Sequence, residues 1–123
     1  MEEPLKGSTY EEDKSEDARD EFGVKNARIV GEACKKIHDA VKQAAGNGRL
    51  PLTVGGDHSI GSATLSAMLE HNPYTCILWI DAHADINTPK TTDSGNLHGC
   101  PVSFVMGLDP EATPEELKWI PHN

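Results

Sequence analysis

In the stretch "WIDAHADIN", residues 79–87, two carboxylates and an imidazole occupy five positions directly behind an unbroken apolar run. Asp81, His83 and Asp85 alternate with Ala82 and Ala84, and in extended backbone residues i, i+2 and i+4 point to one side. The spacing therefore predicts that the three side chains converge, with alanine leaving room between them. Two carboxylates brought together repel and resist burial unless a cation compensates them. A second rim is offered by "GGDHS", residues 55–59, where Asp57 and His58 follow two glycines that permit a tight turn. His58, Asp81, His83 and Asp85 together make a mixed oxygen and nitrogen set without thiolate. Such a set suits a hard or borderline ion such as manganese better than a structural zinc.

Downstream, "NTPKTTDSGNLHG" at 87–99 supplies amide and hydroxyl side chains that, taken singly, are those of any turn-rich loop. Beside a cation cluster they acquire a purpose as a group, the binding of a polar, zwitterionic substrate. His98, next to Gly99, has the chemistry of a proton carrier near neutral pH.

These residues need elements to hold them. Apolar positions at Val30, Ala33, Cys34, Ile37, Val41 and Ala44 follow helical spacing, so a helix is expected over Val24 to Ala45, stopped by "GNG" at 46–48. "RLPLTV" at 49–54 reads as a short buried strand that runs into the "GGDHS" turn. Ile60, Ala63, Ala67 and Met68 mark a second helix ended by "HNP" at 71–73. "TCILWI" at 75–80 is apolar almost throughout, the pattern of a central strand covered on both faces, and its carboxyl end is where parallel sheets bind ligands. About twenty residues of loop follow. "PVSFVMGL" is expected to be a short helix, and "TPEE" at 113–116 to open a last one, with Thr113 as N-cap and Pro114 at the first helical position.

Helix, strand, helix, strand, helix implies an α/β fold with a parallel sheet. Two central strands alone leave bare edges, so the sequence is expected to be a piece of a larger domain. The net charge of −9 argues against nucleic acid as a partner. Residues 1–21 hold nine acids and three bases, and residues 1–22 are expected to be an acidic tail without a packed core, leaving 23–123 as the partial α/β domain. No apolar run is long enough for a membrane span, and the acidic N-terminus is unlike a signal peptide, which points to the cytoplasm. Cys34, Cys76 and Cys100 are odd in number and widely spaced, which indicates neither a disulfide framework nor a zinc knuckle.

"GGDHS", "DAHADINTP" and "SGNLHGCPVSF" resemble, in combination, the signature segments of the ureohydrolase family and within it the arginases, over about residues 24–108. The resemblance implies a three-layer α/β/α domain with a parallel sheet, two manganese ions, trimers or hexamers, and hydrolysis of L-arginine to L-ornithine and urea. It implies that His58 and Asp85 ligate one manganese and His83 the other, with Asp81 bridging both. It further implies that His98 carries the proton, that Asp85 belongs to the catalytic centre, and that Asn87, Thr92, Ser94 and Asn96, with His83 nearby, hold the substrate. Agmatinases generally lack the "INTP" and "SGNLHG" pattern intact here, so the resemblance favours arginine over agmatine. Arginases also use two later aspartates of a "DxD" strand and a glutamate, which this sequence does not contain. The expectation is therefore an incomplete centre in a truncated chain, inactive by itself, with two alternatives: a non-catalytic piece that associates with full-length arginase subunits, and another ureohydrolase.

Overall fold

The computed structural model describes residues 19–121. Its longest element is α1, Ala27–Gly46, entered through Asn26 in left-handed backbone and left through Gly48, also left-handed. Ala27, Gly31, Cys34, His38, Val41 and Ala45 form its buried stripe, one residue every three or four positions as a helix against a core requires. α2, Ile60–His71, lies against α1 and against the short helix α3, Pro101–Met106, which starts on proline and stops at left-handed Gly107. Val24, Cys34, Ala63, Leu97, Phe104, Leu117 and Ile120 are part of the core shared by these elements.

Several expectations meet a different outcome. Segments 49–54 and 75–80 carry no strand, and the β-bridge found among the described residues is an isolated one between Arg19 and Lys25. A strand exists only where a neighbour completes its ladder, and here Leu52 and Val54 are each 87% exposed and Leu78 84%. "TPEE" does not begin an α-helix. Single 3₁₀ turns stand on either side of Thr113, at Pro110–Ala112 and Glu115–Leu117, and the Thr113 hydroxyl donates back to the Asp109 carbonyl at 3.3 Å instead of capping forward. Most of the expected acidic tail, residues 1–18, lies outside the described residues. Within Arg19–Phe22, Asp20 is built into a turn: its carboxylate accepts the amides of Phe22 and Val24 at 3.0 and 2.8 Å.

His38, a polar residue on the apolar stripe of α1, ties the layers together. Its Nε2 lies 3.3 Å from Glu70 of α2 and its Nδ1 3.0 Å from Asp39, while Trp119 meets the ring edge-on at 4.9 Å. Lys42 pairs with the same Glu70 and holds its carboxyl below the usual range.

All three cysteines are free. Burial pushes the Cys34 and Cys100 thiols up to about 11, whereas Cys76 is exposed. Since the thiolate is the reactive form, a disulfide reagent at pH 8 should modify Cys76 quickly and the other two only as the chain opens. Three equally fast thiols would mean that α1 and α3 do not pack as described.

Candidate metal centre

The loop after α1 and the loop after residue 80 end at one place. The Ser59 amide donates to Asp57 Oδ1 at 2.9 Å, closing the turn that leads into α2. The imidazole of His58 then stacks on Trp79, with ring centroids 4.8 Å apart and planes 15° from parallel. This fixes His58 Nδ1 at 3.3 Å from Asp81 Oδ2 and 3.0 Å from Asp85 Oδ2. The three ligand atoms all lie within 4.8 Å of one another.

Asp85 reaches this position through left-handed backbone, φ +49°, with its carbonyl held by the Val102 amide of α3 at 3.1 Å. A non-glycine residue there stores strain of order 1–3 kcal/mol, which persists only where the surroundings enforce it. Asp85 Oδ2 is buried and accepts no hydrogen bond, the His58 ring nitrogen 3.0 Å away lying outside hydrogen-bond geometry. A buried anionic oxygen without a donor is costly, and a divalent cation is the partner that an acceptor-only group at such a rim fits. Asp81 is suited to the same role. The His83 amide donates to its Oδ1 at 2.9 Å and, with the imidazoles of His58 and His83, holds its carboxyl below the usual range.

That same bond alters the expected convergence. By accepting the His83 amide two residues on, Asp81 curls the backbone into a turn, and side chains no longer alternate as they do in a strand. His83 is consequently 82% exposed and stands 3.6 Å from Asp81 alone, outside the group formed by His58, Asp81 and Asp85.

The loop residues gather next to the cluster. A cavity of about 320 Å³ is lined by His83, Asp85, Asn87, Thr92, Ser94 and His98 among others. Ser94 Oγ organises it, accepting the Asn96 amide at 3.1 Å and lying 3.4 Å from the Thr92 hydroxyl. The buried Ser103 hydroxyl of α3 donates to the Asn87 carbonyl at 2.6 Å, so α3 sets where the loop begins. Asn96 instead lines a neighbouring polar cavity of about 280 Å³ with Asp57 and His98. Sequence reasoning missed Trp79, the platform for His58. Its place at the end of an apolar run made it look like core, and only the position of His58 opposite gives it a role.

Two carboxylates and an imidazole thus form a group that could hold a metal ion, beside a cavity lined by amide and hydroxyl side chains. The arginase family profile matches residues 4–116. The arginase of Eremothecium gossypii is 54% identical over 118 residues, 96% of this chain and 30% of its own length. Among solved structures, the cold-adapted arginase of the psychrophilic yeast Glaciozyma antarctica superposes with a TM-score of 0.71 at 50% identity, over 76% of this chain and 34% of that one. The Entamoeba histolytica arginase solved with L-ornithine gives 0.68 at 31% identity, over 80% and 34%. The chain belongs to the arginase family, and it spans about a third of the length of these relatives.

Proposed function

We propose that this chain carries the substrate loop and the first half of the binuclear manganese centre of an arginase, which hydrolyses L-arginine to L-ornithine and urea when the remaining ligands are present. The observation that carries the reading is the buried, hydrogen-bond-free Asp85 oxygen beside a cavity lined by Asn87, Thr92, Ser94 and His98. His58, Asp81 and Asp85 would hold manganese, with His83 contributing after rotation of its exposed side chain. When bound, the metal supplies the Lewis acidity that lowers the pKa of water to near neutrality. The chain's own residues do the rest. Asn87, Thr92, Ser94 and Asn96 offer donors to the α-carboxylate of an amino acid, which orients its far end toward the carboxylate rim. His98 accepts or returns a proton at its free ring nitrogen as the amine departs. Trp79 keeps His58 from swinging away.

The same reading makes segments 49–54 and 75–80 parallel strands of a three-layer α/β/α domain, supported by the meeting of their ends at His58 and Asp81 and by the arginase neighbours. A cytoplasmic setting fits the three free thiols. No helix among the described residues is long and apolar enough to cross a membrane.

The test is a graft of residues 24–108 into an arginase in place of the matching segment. The chimera should release urea from L-arginine and far less from agmatine. Equal release from both, or none despite a folded chimera, would sink the proposal. The 123-residue chain assayed alone should bind manganese weakly and release no measurable urea. Asp81 and Asp85 bring two negative charges against the four of two Mn²⁺ ions.

A second reading is favoured by one observation, the exposure of Leu50, Leu52, Val54, Leu78 and Ile80. It holds that the chain associates with arginase subunits without catalysis. Co-elution with an intact arginase on size exclusion, with no change in urea release, would select it.

A further inference from the structure

His98 is the residue common to the two cavities around the loop. On one side lie Asp85, Asn87 and Ser94, and on the other Asp57, Ser59 and Asn96. On the second side its Nδ1 stands 3.5 Å from Asp57 Oδ2. Asp57 is not a freely rotating surface group, because its other oxygen, Oδ1, accepts the Ser59 amide and closes the turn before α2. One oxygen is thereby held by the backbone, while the other, on a side chain still 62% exposed, lies within ion-pair reach of the imidazole.

A carboxylate only accepts, so the imidazole nitrogen facing it must carry the proton for a bond to form. We propose that Asp57 is a positioning residue for His98: it selects the Nδ1–H tautomer and leaves Nε2, across the ring, unprotonated and turned to the substrate cavity. The inference deepens the proton-carrying role assigned to His98 above and rests on it for its catalytic meaning, but not for its geometry. Without Asp57 the proton of a neutral histidine prefers Nε2, and the nitrogen on the substrate side would donate where the reaction needs it to accept. The selection resembles in kind the way that a carboxylate fixes a catalytic imidazole in other hydrolases. In this chain the two partners are supplied by the loops on either side of α2, so α2 sets the distance between them.

The experiment is side-chain ¹⁵N NMR of the metal-free 123-residue chain at a pH where His98 is neutral. Wild type should show His98 with Nδ1 protonated and Nε2 not. Asp57→Ser keeps an oxygen short enough to cap the Ser59 amide yet too short to reach His98, and it should move the proton to Nε2. Asp57→Asn, whose one oxygen caps the Ser59 amide and whose NH2 then faces His98 with donors only, should likewise move the proton to Nε2. The Ser59 amide shift reports in each variant whether the turn survives. In the grafted arginase, Asp57→Ser should lower kcat on the order of 10-fold, as loss of a residue that orients an imidazole does, with KM for arginine unchanged. A wild-type His98 protonated mainly at Nε2 would overturn the proposal. So would an unmoved tautomer in Asp57→Ser with the Ser59 shift preserved. Because the tautomer is read without metal, failure of the manganese reading leaves this result standing, and the reverse holds as well.

Discussion

Asp85→Ala should reduce manganese binding by the chain on the order of 100-fold or more. Mutation of groups that merely orient metal ligands already costs 10- to 100-fold, and Asp85 is the most buried donor of the three. Its loss removes one of two negative charges at the rim and leaves His58 with Asp81 alone. It also relieves the strain of a non-glycine residue at φ +49° only in part, since alanine meets the same steric conflict. Asp85→Asn separates the contributions, because asparagine keeps the shape, tolerates left-handed backbone and lacks the charge. Both variants should fall together in calorimetric titration with Mn²⁺. Binding in Asp85→Asn close to wild type would mean that charge is not what holds the ion, and would move the centre elsewhere.

Gly95→Ala should lower the thermal midpoint on the order of 10 °C, the largest stability change expected of a single methyl group here. Gly95 has φ +73°, and a Cβ there would stand 2.3 Å from the Gly23 carbonyl oxygen and 2.9 Å from Arg19 Nη1. Left-handed backbone costs alanine roughly 1–2 kcal/mol, and forcing an atom into a packed contact costs roughly 1–3 kcal/mol more. In a domain of this size each kcal/mol is worth about 4–8 °C. The Lys25 amide also donates to the Gly95 carbonyl at 2.8 Å, so the methyl group pries the 87–99 loop off the turn before α1. Gly46→Ala is the control, since a Cβ there meets nothing within 4 Å, and it should be neutral or slightly stabilising. Equal midpoints for the two variants would show that the loop does not rest on Gly23.

The helices were legible because their signal is periodic and local. α1 and α2 fall where Cys34, Val41, Ala63 and Ala67 placed them, with α1 starting at Ala27. His38 escaped notice because a polar residue on an apolar stripe looks like an interruption until Glu70 and Trp119 are seen around it. The donors of the rim could be read from residue type, and Asp81, Asp85 and His58 do meet. Their geometry could not, because whether Asp81 continues an extended run or captures the His83 amide depends on pairing that sequence alone does not encode. The two apolar runs illustrate the same limit. Val54 and Ile80 have the composition of buried strands, and burial requires neighbours that composition does not supply.

Those exposed runs have a colloidal consequence. Leu50, Leu52, Val54, Leu78 and Ile80 are exposed on segments that carry no strand pairing among the described residues, the kind of surface through which chains add to one another edge to edge. What keeps such molecules apart in solution is like charge, here a formal −9, of which −6 resides in residues 1–21. Residues 1–21 thus carry two thirds of that charge. With a sequence isoelectric point near 5.0, mild acid removes that repulsion while the exposed apolar side chains remain.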